Sequence, residues 1–387
     1  MLDDLDRLAA WARSLRRAVP SACVIATSRT RLGVAQEAVL ALEGLPWPEP
    51  EDGPSRAADF DAVQLFEGAA RAAWPAYDAA AEREAVVALC AAVQGHPLSL
   101  RLAAGFVRHQ GVADLVVLAR GGRLGALEPL LDASWQRLSA PSREALARLS
   151  VCRGGFDATA AEAVAAASVA MLGELVDHSM LAARRRRQGS RYEWHPLVQQ
   201  HARARLGDPE AARAAEAAHG AHYLGLLAAM PPPTRAAERP AWLAAIERDA
   251  GNVTAAWQVA VRDGAGERLG AAAVGWASWC HARADWEGGL AGLAGAEPLV
   301  RDPVARARLQ SAQALLAVNA GDPALAARQA RAALRVLRRH DDRALLRSCL
   351  FYLGSALLHL ESHAAADRCL REMLDSARAD GDARAMA

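Results

Sequence analysis

Met180-Leu181-Ala182-Ala183-Arg184-Arg185-Arg186-Arg187-Gln188-Gly189-Ser190-Arg191-Tyr192-Glu193-Trp194 is the stretch on which the fold turns. Its two short runs, 180–183 and 191–194, flank a turn that carries Gly189, and they predict a β-hairpin. Four segments before it place apolar residues at helical spacing: 130–138, 142–151, 158–167 and 171–178. Short helices ending in a hairpin make a compact unit over roughly residues 127–206.

Helices followed by a hairpin describe a winged helix. Such a domain reads DNA with the helix before its wing. Here that helix, about 168–178, offers Glu174 and Asp177 and no Arg, and acids there repel a duplex. The arginines at 184–187 suit a solvated turn, so no direct DNA binding by this chain is expected.

Downstream, from about residue 208, the pattern is all helix with a self-similarity of about 40 residues. Gly321-Asp322-Pro323, followed by Arg328, Ala330 and Leu334, recurs as Glu361-Ser362-His363, followed by Arg368, Leu370 and Leu374. Two helices per unit predict a helical-hairpin solenoid that continues past the last unit. Upstream, residues 59–122 read as helices, with Glu84 to Val93 and 98–109 separated by Gly95-His96-Pro97. Further upstream, the Pro-rich run 45–50 reads as a linker. The run Cys23-Val24-Ile25-Ala26-Thr27 is short, β-branched and apolar throughout, which predicts a strand covered on both faces.

Composition removes several kinds of chemistry. The 387 residues contain no Lys at all, every basic side chain except histidine being Arg. Schiff-base catalysis is thereby excluded, as is a self-contained phosphate loop ending in Gly-Lys-Ser/Thr. The six cysteines are scattered singly, which suggests neither disulfides nor a zinc finger and agrees with a cytoplasmic location. No apolar run reaches the ~20 residues of a membrane span, and a net charge of +1 gives no electrostatic footprint for nucleic acid. His359 and His363 are four residues apart but lack the Glu of a zincin motif and fall at a repeat turn. His219 and His222 share a helix face without a nearby third ligand.

Several strings resemble one family in the expected order. Leu2-Asp3-Asp4-Leu5-Asp6-Arg7-Leu8 looks like the Walker B end and following helix of the STAND signal-transduction ATPases. Val24-Ile25-Ala26-Thr27-Ser28-Arg29-Thr30-Arg31-Leu32-Gly33-Val34 is similar to their sensor strand, and Gln94-Gly95-His96-Pro97-Leu98-Ser99-Leu100 to their Gly-x-Pro segment. Leu138-Ser139, 149–156 and Tyr192-Glu193-Trp194-His195-Pro196-Leu197 match their winged helix. Asp249-Ala250-Gly251-Asn252-Val253-Thr254-Ala255-Ala256 resembles the entry to their tetratricopeptide-like array. Within that family the strings look like those of the bacterial LuxR-type and AfsR-type regulators.

The resemblance implies a mainly α chain in four parts. Residues 1–50 would be the remnant of an α/β P-loop NTPase domain, 51–125 a helical lid, 126–207 the winged helix, and 208–387 an α-solenoid. It also implies ATP or ADP with Mg²⁺ as the intact family's cofactors. Asp3 would hold Mg²⁺ and Asp4 would polarise the attacking water. Arg29 would reach the γ-phosphate, Pro97 would pack on adenine, and His195 would sit near the β-phosphate as in the related NB-ARC proteins. Pro196 stands where an acid usually follows that histidine.

Plainer readings stay open for each. Asp3, Asp4 and Asp6 suit a helix start, Arg29 a surface charge, Pro97 a first-turn proline and His195 a structural histidine. Position 1 falls inside the family's Walker B strand, so the glycine-rich phosphate loop is missing and no ATPase activity or tight nucleotide binding is expected of the chain as given. It reads as a fragment, an alternative start or a gene remnant. Three functions follow: a signal-sensing transcriptional regulator whose repeats bind a protein or small-molecule inducer and which can oligomerise at full length, part of an active ATPase, or a scaffold with a vestigial nucleotide domain.

Overall fold

The structure is a computed structural model. It describes residues 2–19, 21–27, 34, 37–38, 40, 42–48, 54–108, 110–120, 127–186 and 189–379. The chain is mainly α, with a winged helix followed by a helical solenoid.

The amino end departs from expectation. Helix α1 (Leu2–Ala18) begins at once, so Asp3 and Asp4 lie in a helical first turn. Residues 22–27 form no strand, and Ile25 is 90% exposed. The predicted strand at 23–27 is therefore absent among the described residues. An apolar run holds extended only when a neighbouring strand takes its backbone donors and acceptors, and none of the described residues does so.

Next come α2 (Asp61–Ala73), α3 (Arg83–Ala92), α4 (Pro97–Ala104) and α5 (Val112–Arg120). The α4 helix stops five residues short of the expected 109, and α5 completes the helical block read over 59–122. The Pro-rich run is no free linker. Leu45 N–H donates to Gly95 O at 2.9 Å and Ala62 N–H to Pro46 O at 3.2 Å, while Leu45 and Trp47 pack on the core.

The winged helix comprises α6 (Leu127–Arg137), α7 (Ala140–Leu149), β1 (Phe156–Asp157), α8 (Ala158–Ala165), α9 (Val169–Asp177), β2 (Ala182–Arg186), β3 (Gly189–Glu193) and α10 (Pro196–Arg205). Side-chain caps start its helices: Ser139 accepts from Ser142 N–H, Asp157 from Ala160 N–H and Ser168 from Met171 N–H. The sheet is antiparallel in the order β1-β3-β2, with Phe156 opposite Tyr192 and Arg184 opposite Arg191. Facing arginines repel. Here each leaves the pair, Arg184 for Glu193 at 2.7 Å and Arg191 for Asp249 at 3.0 Å. Glu174, expected to face a duplex, instead accepts from Ser139 N–H (2.6 Å), Ser139 Oγ (2.8 Å) and Ser142 Oγ (2.5 Å). Burial pushes its pKa up, but these bonds together outweigh burial and hold its carboxyl below the ordinary range.

The solenoid runs through α11 (Pro209–Ala228), α12 (Arg239–Arg248), α13 (Ala250–Arg262), α14 (Gly266–Ala282), α15 (Trp286–Ala296), α16 (Pro303–Asn319), α17 (Pro323–Leu337), α18 (Arg343–His359) and α19 (His363–Ala379). Asp285, Asp302, Asp322 and Asp342 each cap the helix that follows. The self-similar strings fall on α17 and α19, as the repeat predicts. His359 and His363 face no metal-binding group of three among the described residues.

Two apolar cores result. The first runs without interruption from Ala62 in α2 through the winged helix to Leu316 in α16. The second joins α16 to α19. Helix α16 belongs to both, giving Leu309, Ala312 and Leu316 to the first and Ala307, Ala314 and Ala317 to the second. No single helix among the described residues is long and apolar enough to cross a membrane.

Candidate functional site

Two triplets with the same spelling build the site: His96-Pro97-Leu98 and His195-Pro196-Leu197. Each opens a helix in the same way, with His as N-cap and Pro in the first turn. Proline has no N–H to lose there, and its fixed φ suits a helix start. His96 Nδ1 accepts from Ser99 N–H at 3.4 Å, with Ser99 Oγ at 3.3 Å. His195 Nδ1 accepts from Leu197 N–H at 3.3 Å. A backbone N–H can only donate, so in each ring the proton sits on Nε2.

The tertiary packing brings the first triplet and His195 of the second to one cleft of about 540 Å³ between α4 and the winged helix. Pro97, Leu98, Val176 and Met180 give it apolar walls, and Arg101, Arg184, Glu193 and Trp194 give it polar ones. Burial pushes the pKa of His96 down; burial and then the charge of His96 push His195 down. Both rings are thus neutral donors at pH 7. Glu193 is neutralised by Arg184 at 2.7 Å. The Trp194 indole N–H is shut off from solvent and meets no acceptor among the described residues.

Of the residues singled out in the sequence, Pro97 and His195 meet in this cleft. Arg29 and the side chains of Asp3 and Asp4 lie outside the described residues. His96 was not singled out, although the repeated His-Pro-Leu spelling was the signal for it.

Gly95 fixes the approach to the first triplet. Its φ is +63°, and a Cβ there would lie 2.0 Å from Leu45 O. Gly95→Ala is therefore expected to destabilise the α2–α5 bundle by about 2 kcal/mol or more. Urea unfolding followed by circular dichroism checks this, and an unchanged midpoint contradicts the packing described.

A second polar centre joins the winged helix to the solenoid. Arg191 Nη2 donates to Gly155 O (2.7 Å) and to Asp249 Oδ1 (3.0 Å). Fully buried Asn252 donates through Nδ2 to Gly155 O (3.0 Å) and Asp249 Oδ1 (3.3 Å). Its Oδ1 accepts from Arg153 N–H (2.5 Å) and His219 Nε2 (3.2 Å). Beside this network a cavity of about 290 Å³ is lined by Arg153, Gln199, Gln200, His219 and Gln258 among others.

Comparison with known proteins agrees with the winged helix. Residues 131–214 match the MalT winged helix domain family. A Mycobacterium bovis protein described as an HTH-type transcriptional regulator is 31% identical over 250 residues, which are 59% of this chain and 27% of that protein. An uncharacterized protein of Mycobacterium tuberculosis is 29% identical over 240 residues, 56% of this chain and 58% of that one. The chain thus spans about a quarter of the regulator's length. Among solved structures, the STAND protein with a tetratricopeptide repeat sensor from Pyrococcus horikoshii aligns with a TM-score of 0.41 and 16% identity, covering 92% of this chain and 58% of that one.

Proposed function

We propose that this chain is the lid, winged-helix and sensor part of a cytoplasmic, ATP-dependent transcriptional regulator, with the α4/winged-helix cleft as its nucleotide switch. The convergence of Pro97 and His195 in one cleft carries this reading. A cleft of about 540 Å³ falls within the usual range for small-molecule sites, about 300–1,000 Å³. Its residues fit a nucleoside diphosphate: apolar Pro97, Leu98, Val176 and Met180 suit a base, while imidazole donors and Arg101 suit phosphoryl oxygens.

When bound, the nucleotide supplies negative charge between two parts of the fold. His195 donates from Nε2 toward it, and Pro97 and Leu98 keep water from its apolar face. With no lysine in the chain, nothing cradles a γ-phosphate, so this chain holds ADP weakly and does not hydrolyse ATP. Asp3 would meet Mg²⁺ only in the intact NTPase domain. The repeats α11–α19 take the inducer, a protein or a small molecule.

The test is a titration of the chain with ADP, followed by NMR of its histidine rings. We expect a Kd on the order of 1 mM, about −4 kcal/mol, with shifts at His195 that vanish in His195→Asn. Absence of any response at 10 Kd would leave the scaffold reading in its place.

A further inference from the structure

The lid side of the cleft holds a second histidine, presented like the first. His96 and His195 both spend Nδ1 on capping their own helix, through Ser99 N–H and Leu197 N–H. Each therefore has one nitrogen left, Nε2, and that nitrogen carries a proton. The two rings line the same cleft from different parts of the fold, close enough that the charge of one acts on the other.

Everything else polar in the cleft favours an anion. Arg101 lines it, and Glu193 is paired with Arg184. The α4 and α10 helices begin there and add partial positive charge from their first turns. Two neutral imidazole donors beside a guanidinium match a diphosphate better than one phosphate, because two phosphoryl groups offer oxygens to both walls at once.

We propose that His96 is the second jaw of a two-histidine clamp, in which His96 on α4 and His195 on α10 each donate from Nε2 to a diphosphate and so tie the lid to the winged helix. The clamp rests on the nucleotide reading above for the diphosphate's natural carrier, while its chemistry needs the diphosphate alone.

The test uses His96→Asn in the full chain. Asn is among the best N-cap residues, so this change keeps the cap on α4 and removes only the Nε2 donor. Pyrophosphate, ADP and adenosine are titrated separately into the parent and the variant, with ¹⁵N NMR of the imidazoles as the readout. The expected result is a loss of about tenfold or more in pyrophosphate and ADP affinity, adenosine unchanged, and a His96 Nε2 shift on pyrophosphate addition to the parent. Equal pyrophosphate binding by parent and variant overturns the clamp and leaves the nucleotide reading standing. So does an equal loss of adenosine and ADP binding, which would give His96 to the base or the fold. Pyrophosphate binding without ADP binding keeps the clamp and removes the nucleotide reading. A parent that binds neither overturns both.

Discussion

Asn252→Asp is expected to destabilise the chain by about 3–5 kcal/mol, the usual loss when a buried charge is left without compensation. The substitution is nearly isosteric, so no cavity opens. It sets a carboxylate oxygen where Nδ2 now donates to Gly155 O and to Asp249 Oδ1. Two donations become two repulsions at a fully buried position. Asn252→Ala should cost less, since it only leaves Arg153 N–H and His219 Nε2 without their acceptor. Denaturant midpoints and exchange of the Arg153 amide measure both. An Asp variant within 0.5 kcal/mol of the parent, on the scale of ordinary surface changes, would mean that the network does not join the winged helix to the solenoid.

Acid should undo the same junction from its other side. Burial pushes His219 down to about 4, against the favourable bond to Asn252. The unfolded chain takes up this proton near pH 6.5, the folded chain only near 4. The unfolded state therefore binds more protons between those values. The stabilisation is complete above pH 6.5 and drains as pH falls through 4, on the order of 3 kcal/mol in all. His201, pushed down to about 4 by burial and then by Arg205, adds loss in the same window. His219→Gln keeps a donor for Asn252 without a titrating group, so its urea midpoint should fall less between pH 7 and 4.5. Parallel curves for parent and variant would clear His219 of any part in the acid response.

Legibility in the sequence followed the range of the forces involved. The winged-helix elements fell within a few residues of their predicted bounds because their starts are local: Ser139, Asp157 and Ser168 cap from inside the same stretch. The strand at 23–27 failed because apolar composition describes what a strand buries, and says nothing about whether a neighbour exists to pair with it. The β1 strand escaped notice for the complementary reason. Phe156–Asp157 is extended only through its register with Arg191 and Tyr192, a fact of the fold and not of two residues. Glu174 read as a surface acid, since its three donors come from a helix start more than thirty residues away. Pro97 and His195 could be named from motif order, whereas the part played by His96 depends on a tautomer and a facing wall that no linear spacing encodes.

The helix with two apolar faces, α16, decides where this architecture can accept a foreign set of repeats. A splice at residue 207, the boundary that the pattern of motifs suggests, would cut through the core that joins Ala202 and Leu206 to Ala215 and Leu224. It would leave raw apolar surface on both pieces. A splice after Asn319 keeps that core whole and asks the incoming repeats to cover Ala307, Ala314 and Ala317 together with the half-buried Val274, Leu290 and Val318. None of these is aromatic or charged, so the surface to be matched is undemanding in shape. Exchange of repeats, by recombination or by design, is therefore easiest beyond α16, and the six helices α11–α16 travel with the winged helix they are packed against.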